Sequence, residues 1–166
     1  MHSAPDTLAT LTIDGSCDHI TRRAGAAAVL KLPDGTTASA TESITTSKSS
    51  EAELHALEIG LQLAAKRHVT HLIVYGDNEG VTEAINGRAR FPKPRAGRIH
   101  ELLTRFREVT AVHVSRDENN ADLYARLARP DDRNGRSRRA PRNPHRRGRD
   151  YHRNRRRHRT NKQYDA

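Results

Sequence analysis

The stretch SSEAELHALEIGLQLAA, residues 49–65, has the periodicity that decides the fold. At about 100° per residue, one arc of a helix collects small and apolar side chains: Ala52, Ala56, Leu57, Ile59, Gly60, Leu63 and Ala64. The opposite, polar arc carries Glu51, His55, Glu58 and Gln62. Glu53 falls inside the apolar arc, where a carboxylate is unfavourable unless it is paired or binds a metal. Glu53 is therefore either a solvent-exposed residue of the first turn, favoured by the helix dipole, or a functional group.

Apolar runs on both sides of this helix predict a mixed α/β fold. Strands are predicted at residues 7–14, 25–32, 36–45, 71–76 and 109–115. Further helices are predicted at residues 78–86, around 99–106 and within 117–128. Ser49 is expected to cap the long helix, and the strand at 71–76 is expected to be buried on both faces. The order β-β-β-α-β-α-α-β-α predicts a five-stranded sheet of three antiparallel strands and then parallel additions, flanked by helices.

Charge divides the chain into two predicted parts. Residues 1–128 contain 15 Lys+Arg and 16 Asp+Glu, a net charge of −1, whereas residues 129–166 contain 15 and 4, a net charge of +11. The second part has no Leu, Ile, Val, Phe, Met or Trp, so we expect a disordered tail after a domain of residues 1–128. Arginine-dense segments bind phosphate backbones through counterion release. The alternative is a low-complexity extension without a selected use.

Several classes of protein are disfavoured by the composition. Cys17 is the only cysteine, which excludes an intramolecular disulfide and a cysteine zinc site. No apolar run approaches membrane-spanning length, and the first ten residues lack the features of a signal peptide. We therefore expect a cytoplasmic protein that does not associate with membranes.

Three acidic side chains are expected at one edge of the sheet. Asp14 ends the first predicted strand and Asp77 ends the fourth. If these strands are parallel neighbours, both aspartates emerge where the strand order reverses, and Glu53 on the helix can reach the same place. Each aspartate alone is better explained by turn chemistry, since Asp-Gly and Asp-Asn are ordinary strand ends. Together the three carboxylates would repel one another unless a proton or a hard divalent cation neutralised them.

Four segments resemble the motifs of type 1 ribonuclease H domains, in particular the compact bacterial branch: TIDGS (12–16), SSEAELHAL (49–57), VYGDNEGVTEAING (74–87) and HVSRDENNADLYARLA (113–128). The resemblance covers residues 8–128 and implies four catalytic, metal-binding acids: Asp14, Glu53, Asp77 and Asp122. These would bind two Mg²⁺ ions, with Mn²⁺ as a substitute; Asp14 would bridge both, Glu53 and Asp77 would bind one, and Asp122 the other. The implied reaction is endonucleolytic hydrolysis of the RNA strand of RNA–DNA hybrids.

The resemblance also suggests which residues contact the nucleic acid. Polar contacts are expected from Ser16, Ser49, Ser50 and Asn78. A basic loop would bind the duplex backbone, unless it is only a solvated surface: Arg88, Arg90, Lys93, Arg95 and Arg98.

The sequence also departs from the family pattern. Ser49 and Ser50 replace two asparagines of the family, and no histidine precedes the last helix. An alternative is therefore a catalytically weak or inactive ribonuclease H-like module that binds nucleic acid. A 3′-exonuclease of the same broad fold is disfavoured, because Ser16 stands where such enzymes carry a second acid.

Overall fold

The computed structural model of the chain describes residues 6–119, Ala121 and Tyr124. Its elements are β1 (Leu8–Asp18), β2 (Arg23–Lys31), β3 (Thr37–Thr45), α1 (Ser49–Lys66), β4 (His71–Gly76), α2 (Glu79–Ile85), α3 (Lys93–Leu103), β5 (Glu108–His113) and a 3₁₀ turn (Arg116–Glu118). Of the predicted last helix, only Ala121 and Tyr124 are described beyond Asn119, and the segment 129–166 lies outside the described residues. No helix in the described part of the chain is long and apolar enough to cross a membrane.

The five strands form one mixed sheet in the order β3-β2-β1-β4-β5. β1 pairs antiparallel with β2, and β2 with β3, whereas β4 pairs parallel with both β1 and β5. The turn between β2 and β3 uses Gly35 at φ 83°, and the Asp34 carboxylate accepts the N–H and hydroxyl of Thr36. The predicted fold class is confirmed.

The small residues of α1 let this helix lie close to the sheet. Ala52, Ala56 and Ala64 are fully buried. A Cβ on Gly60 would lie 2.9–3.0 Å from side-chain atoms of Leu11 and Ala28, so the position tolerates only glycine without movement. The apolar arc predicted from residues 49–65 is thus the face that packs on the sheet.

Three local predictions are wrong. Ser49 does not cap α1: Lys48 occupies the N-cap without a side-chain bond, and its N–H donates to the hydroxyl of Thr46 at 3.1 Å. β1 does not end at Asp14 but continues to Asp18, because its antiparallel pairing with β2 persists after its parallel pairing with β4 has ended. β4 is fully buried on one face only, since alternate residues along it remain partly exposed.

α2 packs against β4 and β5, whereas α3 packs against α1. Asn78 caps α2 by accepting the Val81 N–H, and the side chain of Asn86 at its other end bonds both the N–H and the C=O of Ala111 in β5. α3 begins at Lys93, inside the segment predicted as a basic loop. The prediction of a loop over this proline-containing segment was wrong, because proline is well tolerated in the first turn of a helix.

Candidate metal centre

Asp14, Glu53 and Asp77 converge on one point at the carboxyl edge of the sheet. One carboxylate oxygen from each lies within 4.8 Å of the others. Asp14 and Glu53 are buried, and Asp77 is half-buried. The structure therefore brings together three of the four predicted acids. The fourth, Asp122, lies outside the described residues, and the assignment of all four as catalytic metal ligands stays a prediction.

The pairing of β1 explains the positions of the two aspartates. The parallel ladder of β1 with β4 ends at Thr12 and Tyr75, while the antiparallel ladder with β2 runs on to Asp18. Asp14 therefore lies just beyond the point where β1 and β4 separate, and Asp77 directly follows β4. Crevices at such points of strand divergence are where open α/β sheets bind ligands.

Glycine at position 15 brings Glu53 to the same point. A Cβ on Gly15 would lie 2.8 Å from the Cβ of Ala52 and closer still to the Glu53 main-chain nitrogen, so β1 and the first turn of α1 meet backbone to backbone. The Gly15 N–H hydrogen-bonds the Glu53 carboxylate. Glu53 is therefore buried against β1, and the alternative of a solvent-exposed residue in the first turn is wrong.

Glu53 is protonated near neutral pH when no cation is bound. Burial, followed by the negative charges of Asp14 and Asp77, raises the pKa of Glu53 from 4.5 to about 9, against the opposing bond from Gly15. Its Oε2 atom is buried and has no hydrogen-bond partner among the described residues. A set of three carboxylates with a buried oxygen left over fits a hard divalent cation, which prefers oxygen ligands and would neutralise this repulsion.

Two residues beside the acids were not predicted as site residues. Asn119 is buried, donates to the Ile13 carbonyl at 2.8 Å and accepts the Ala121 N–H at 3.0 Å. It therefore fixes β1 immediately before Asp14. Arg116 donates its Nε to Asp77 Oδ2 at 3.2 Å and partly balances the charge of that acid.

The predicted polar contacts with nucleic acid surround the centre. Ser16 lies two residues after Asp14 on β1 and is half-buried, and Asn78 follows Asp77 as the cap of α2. Ser49 and Ser50 are exposed in the first turn of α1. Their role as nucleic-acid contacts stays a prediction.

The loop before α1 is tied to the β1–β2 hairpin. The Cys17 S–H donates to the Thr46 carbonyl at 3.2 Å, and His19 Nδ1 lies 2.7 Å from the Ser47 carbonyl. These contacts hold the segment that leads into Ser49 and Ser50. Sequence patterns did not suggest this role for Cys17.

The predicted basic loop is divided between a loop and a helix. Arg88 and Arg90 are exposed between α2 and α3, and Arg88 donates to Glu83 at 3.0 Å. Lys93, Arg95 and Arg98 instead belong to α3.

Glu58 belongs to the polar arc of α1, yet it is not exposed. Glu58 is buried beneath α3 and forms ion pairs with Arg95 and Arg98, both at 2.5 Å. These partners lie 37 and 40 positions further along the chain, so the helical pattern of α1 did not predict them.

The chain has clear relatives among known families and structures. Residues 12–128 match the family described as reverse transcriptase-like. The N-terminal RNase H domain of Rv2228c from Mycobacterium tuberculosis, solved as a fusion with maltose-binding protein, is 27% identical, with a TM-score of 0.68 over 74% of this chain and 94% of that one. RNase H1 from the halophilic archaeon Halobacterium salinarum NRC-1 is 28% identical, with a TM-score of 0.64 over 75% and 97%.

A third structure extends the likeness in fold. LC11-RNase H1, solved in complex with an RNA/DNA hybrid, has a TM-score of 0.63 over 74% of this chain and 96% of that one. Its identity is 19%, so the likeness concerns the fold alone. No curated protein sequence matches the chain significantly.

Proposed function

The chain belongs to the reverse transcriptase-like family and has the fold of ribonuclease H, and from this premise we propose that it cleaves the RNA strand of RNA–DNA hybrids endonucleolytically with bound divalent cations. The observation that carries the proposal is the convergence of Asp14, Glu53 and Asp77 within 4.8 Å. The two RNase H structures that are 27% and 28% identical support the choice of a ribonuclease H reaction.

The acids would hold two Mg²⁺ ions, for which Mn²⁺ is a proposed substitute. Asp14, Glu53 and Asp77 offer carboxylate oxygens in one pocket, and Asp122 is the proposed fourth ligand. When bound, such a pair of ions activates the attacking water and stabilises the leaving oxygen of the phosphodiester. Because Glu53 carries a proton in the metal-free protein, cation binding displaces that proton.

The remaining residues of the site would position the acids and the RNA strand. The Gly15 N–H orients the Glu53 carboxylate, and Asn119 holds the carbonyl of Ile13 next to Asp14. Ser49 and Ser50 are exposed four and three positions before Glu53, where each hydroxyl can donate to and accept from a 2′-hydroxyl. The 2′-hydroxyl is the group that distinguishes RNA from DNA at a given site.

The proposal is tested with a hybrid labelled on the RNA strand. We expect internal cleavage of the RNA strand in Mg²⁺ and no cleavage in EDTA. Asp14→Asn and Glu53→Gln are expected to slow cleavage roughly a thousandfold, because cation-based charge stabilisation contributes several kcal/mol. Glu79→Gln is the matched control, since Glu79 is an exposed carboxylate two residues after Asp77, and it is expected to retain full activity.

Two results would contradict the proposal. One is an intact hybrid in both Mg²⁺ and Mn²⁺, and the other is equal cleavage by the parent protein and Asp14→Asn. Salt-dependent binding of the hybrid without cleavage would instead identify a nucleic-acid-binding module, and removal of residues 129–166 would then be expected to abolish binding.

A further inference from the structure

One buried carboxylate holds two arginines on the surface of α1. Glu58 Oε2 pairs with Nη1 of Arg95, and Glu58 Oε1 pairs with Nε of Arg98, both at 2.5 Å. We propose that Glu58 is a positioning residue, which presents the Arg95 and Arg98 guanidinium groups as a fixed pair to the phosphodiester backbone of the bound duplex. The inference rests on the proposed function, because it assigns a second contact to the same substrate.

The arrangement points the positive groups outward and keeps the negative group inside. The Glu58 side chain is 5% exposed, whereas those of Arg95 and Arg98 are 29% and 66% exposed. Each guanidinium carries five N–H donors in a planar fork, so donors remain after the bond to Glu58. Since each carboxylate oxygen takes a different arginine, the spacing of the two guanidinium groups is set by one rigid group.

A purely structural tie between α1 and α3 does not require this chemistry. Burial of an ion pair carries a desolvation penalty that often exceeds its Coulombic gain, and apolar residues of similar volume join helices at least as well. Ile99 and Leu102 of α3 are already buried in the core that α1 shares. A buried carboxylate with two partly exposed arginines is explained better by a need to orient the arginines.

Glu58 lies on the same helix as Glu53 but on its polar arc, about 140° further around the axis. Glu58 is five residues after Glu53, about 7.5 Å along the helix axis. The positive charge of Arg95 acts on Glu51 in the first turn from a distance: the pKa of Glu51 is lowered mainly by the Thr46 hydroxyl, then by Lys48 and least by Arg95. Glu51 directly follows Ser49 and Ser50, so the proposal requires a duplex that spans the first turn of α1 and the arginine pair.

The segment that carries the pair is basic, and an open cavity lies beside the pair. Residues 88–107 contain seven Lys+Arg and one acid, Glu101, although residues 1–128 are nearly neutral in total. An open cavity of about 510 Å³ lies beside the pair, and Glu42, His55 and Gln62 also line it. The basic segment favours a phosphodiester backbone as the ligand, whereas the cavity lining also contains the carboxylates of Glu42 and Glu58.

The test replaces single phosphates of the hybrid, one position at a time, with an uncharged analogue. Methylphosphonate replaces one phosphate at a time in either strand, and KM and kcat are measured with the full chain at each position. In the parent protein we expect one or two positions, a few nucleotides from the scissile bond, to raise KM roughly tenfold with little change in kcat, as for loss of a charge-assisted hydrogen bond. Arg95→Gln and Arg98→Gln are expected to lose this position-specific penalty.

Glu58→Gln distinguishes positioning from charge. If only the negative charge of Glu58 matters, its removal should strengthen duplex binding equally at every methylphosphonate position. If Glu58 positions the arginines, its removal should flatten the scan: the neutral phosphate at the sensitive position should then raise KM by less than about twofold. Glu58→Asp keeps the charge but is too short to hold both arginines, and we expect the same flattened scan. Glu101→Gln, which changes an exposed acid of α3, is expected to reproduce the parent scan.

Failure of this inference is distinguishable from failure of the proposed function. The role of Glu58 would be overturned if Glu58→Gln and Glu58→Asp cleave the hybrid with the same scan as the parent protein and all three proteins melt cooperatively. The nuclease proposal would remain intact in that case. If no hybrid is cleaved, the scan is repeated as equilibrium binding to short duplexes without metal. An unchanged profile in the Glu58 variants then also overturns the inference, and a flattened profile supports it.

Discussion

Gly15 of β1 and Glu53 of α1 are in backbone contact, with no space for a side chain between them. The same contact brings the Gly15 N–H onto the Glu53 carboxylate. A strand and a helix that meet this closely carry two of the three acids into one pocket. The geometry of the metal centre therefore depends on a residue that has no side chain.

We expect Gly15→Ala to separate β1 from α1, because the new methyl group would overlap the main chain of Glu53 and the Cβ of Ala52. Overpacking of this kind lowers the free energy of unfolding by about 1–3 kcal/mol. Displacement of Glu53 should also weaken divalent cation binding. Denaturant unfolding and calorimetric titration with Mn²⁺ measure the two effects.

Gly97→Ala is the control for this substitution. Gly97 lies inside α3, and a Cβ there has no neighbour within 4 Å. Since alanine is favoured over glycine in a helix, we expect stabilisation by about 0.5–1 kcal/mol and unchanged Mn²⁺ binding. Unchanged stability and Mn²⁺ affinity in Gly15→Ala would show that the close contact is not required.

The raised pKa of Glu53 predicts how stability depends on pH without metal. The folded protein keeps the Glu53 proton up to a pKa of about 9, whereas the unfolded chain loses it near 4.5. The favourable contribution of protonated Glu53 is complete below 4.5 and is lost as pH rises towards 9. Glu53→Gln should therefore flatten this fall and stabilise the protein at alkaline pH, measured by urea unfolding in EDTA.

Glu51→Gln provides the comparison of opposite sign. The Thr46 hydroxyl, as the main cause, lowers the pKa of Glu51 below 4.5, so its contribution is present above that pH and is lost on acidification. Glu51→Gln should thus destabilise the protein at neutral pH and have less effect in acid. An equal pH dependence of unfolding in the parent protein and Glu53→Gln would contradict the charge repulsion inferred at the centre.

Hydrophobic periodicity was sufficient to predict the fold. Alternating and apolar runs predicted all five strands, and a carboxylate on the apolar arc of α1 singled out Glu53, because both signals are local and repeat along the chain. The extent of β1 was mispredicted, since Asp14-Gly15 has the composition of a turn. In the structure that glycine serves close packing within a strand.

Interactions between distant segments were not predictable in this way. Asn119 bonds the Ile13 carbonyl across 106 positions, and its local segment is rich in polar residues that are typical of a loop. Glu58 has the spacing of a solvent-facing residue, and only the docking of α3 makes it buried. Both roles depend on which segments meet, which the helical and strand periods do not encode.

Asn119→Ala is expected to affect both stability and the metal centre. The substitution leaves the Ile13 carbonyl and the Ala121 N–H without the bonds that Asn119 supplies, which costs about 1–3 kcal/mol in unfolding free energy. Because Ile13 precedes Asp14, we also expect Mn²⁺ affinity to fall roughly 10–100-fold, as for other residues that orient metal ligands. Calorimetry and unfolding curves give both values.

Asn86→Ala separates these two effects. Asn86 also bonds a main chain through its carboxamide, at Ala111 of β5, but it lies at the end of α2 away from the acids. It should lose similar stability with Mn²⁺ affinity unchanged. If both variants lose affinity in proportion to stability, Asn119 has no specific role at the centre.

Arg116 is expected to compete with the cation for Asp77. Its Nε lies 3.2 Å from Asp77 Oδ2, and its side chain is 68% exposed, so the ion pair is weak and can open. A bound cation must share or displace this guanidinium. Arg116→Gln should therefore tighten Mn²⁺ binding about two- to fivefold in calorimetric titration. Arg88→Gln, which alters an exposed pair with Glu83, should have no effect, and weaker binding by Arg116→Gln would reverse the assignment.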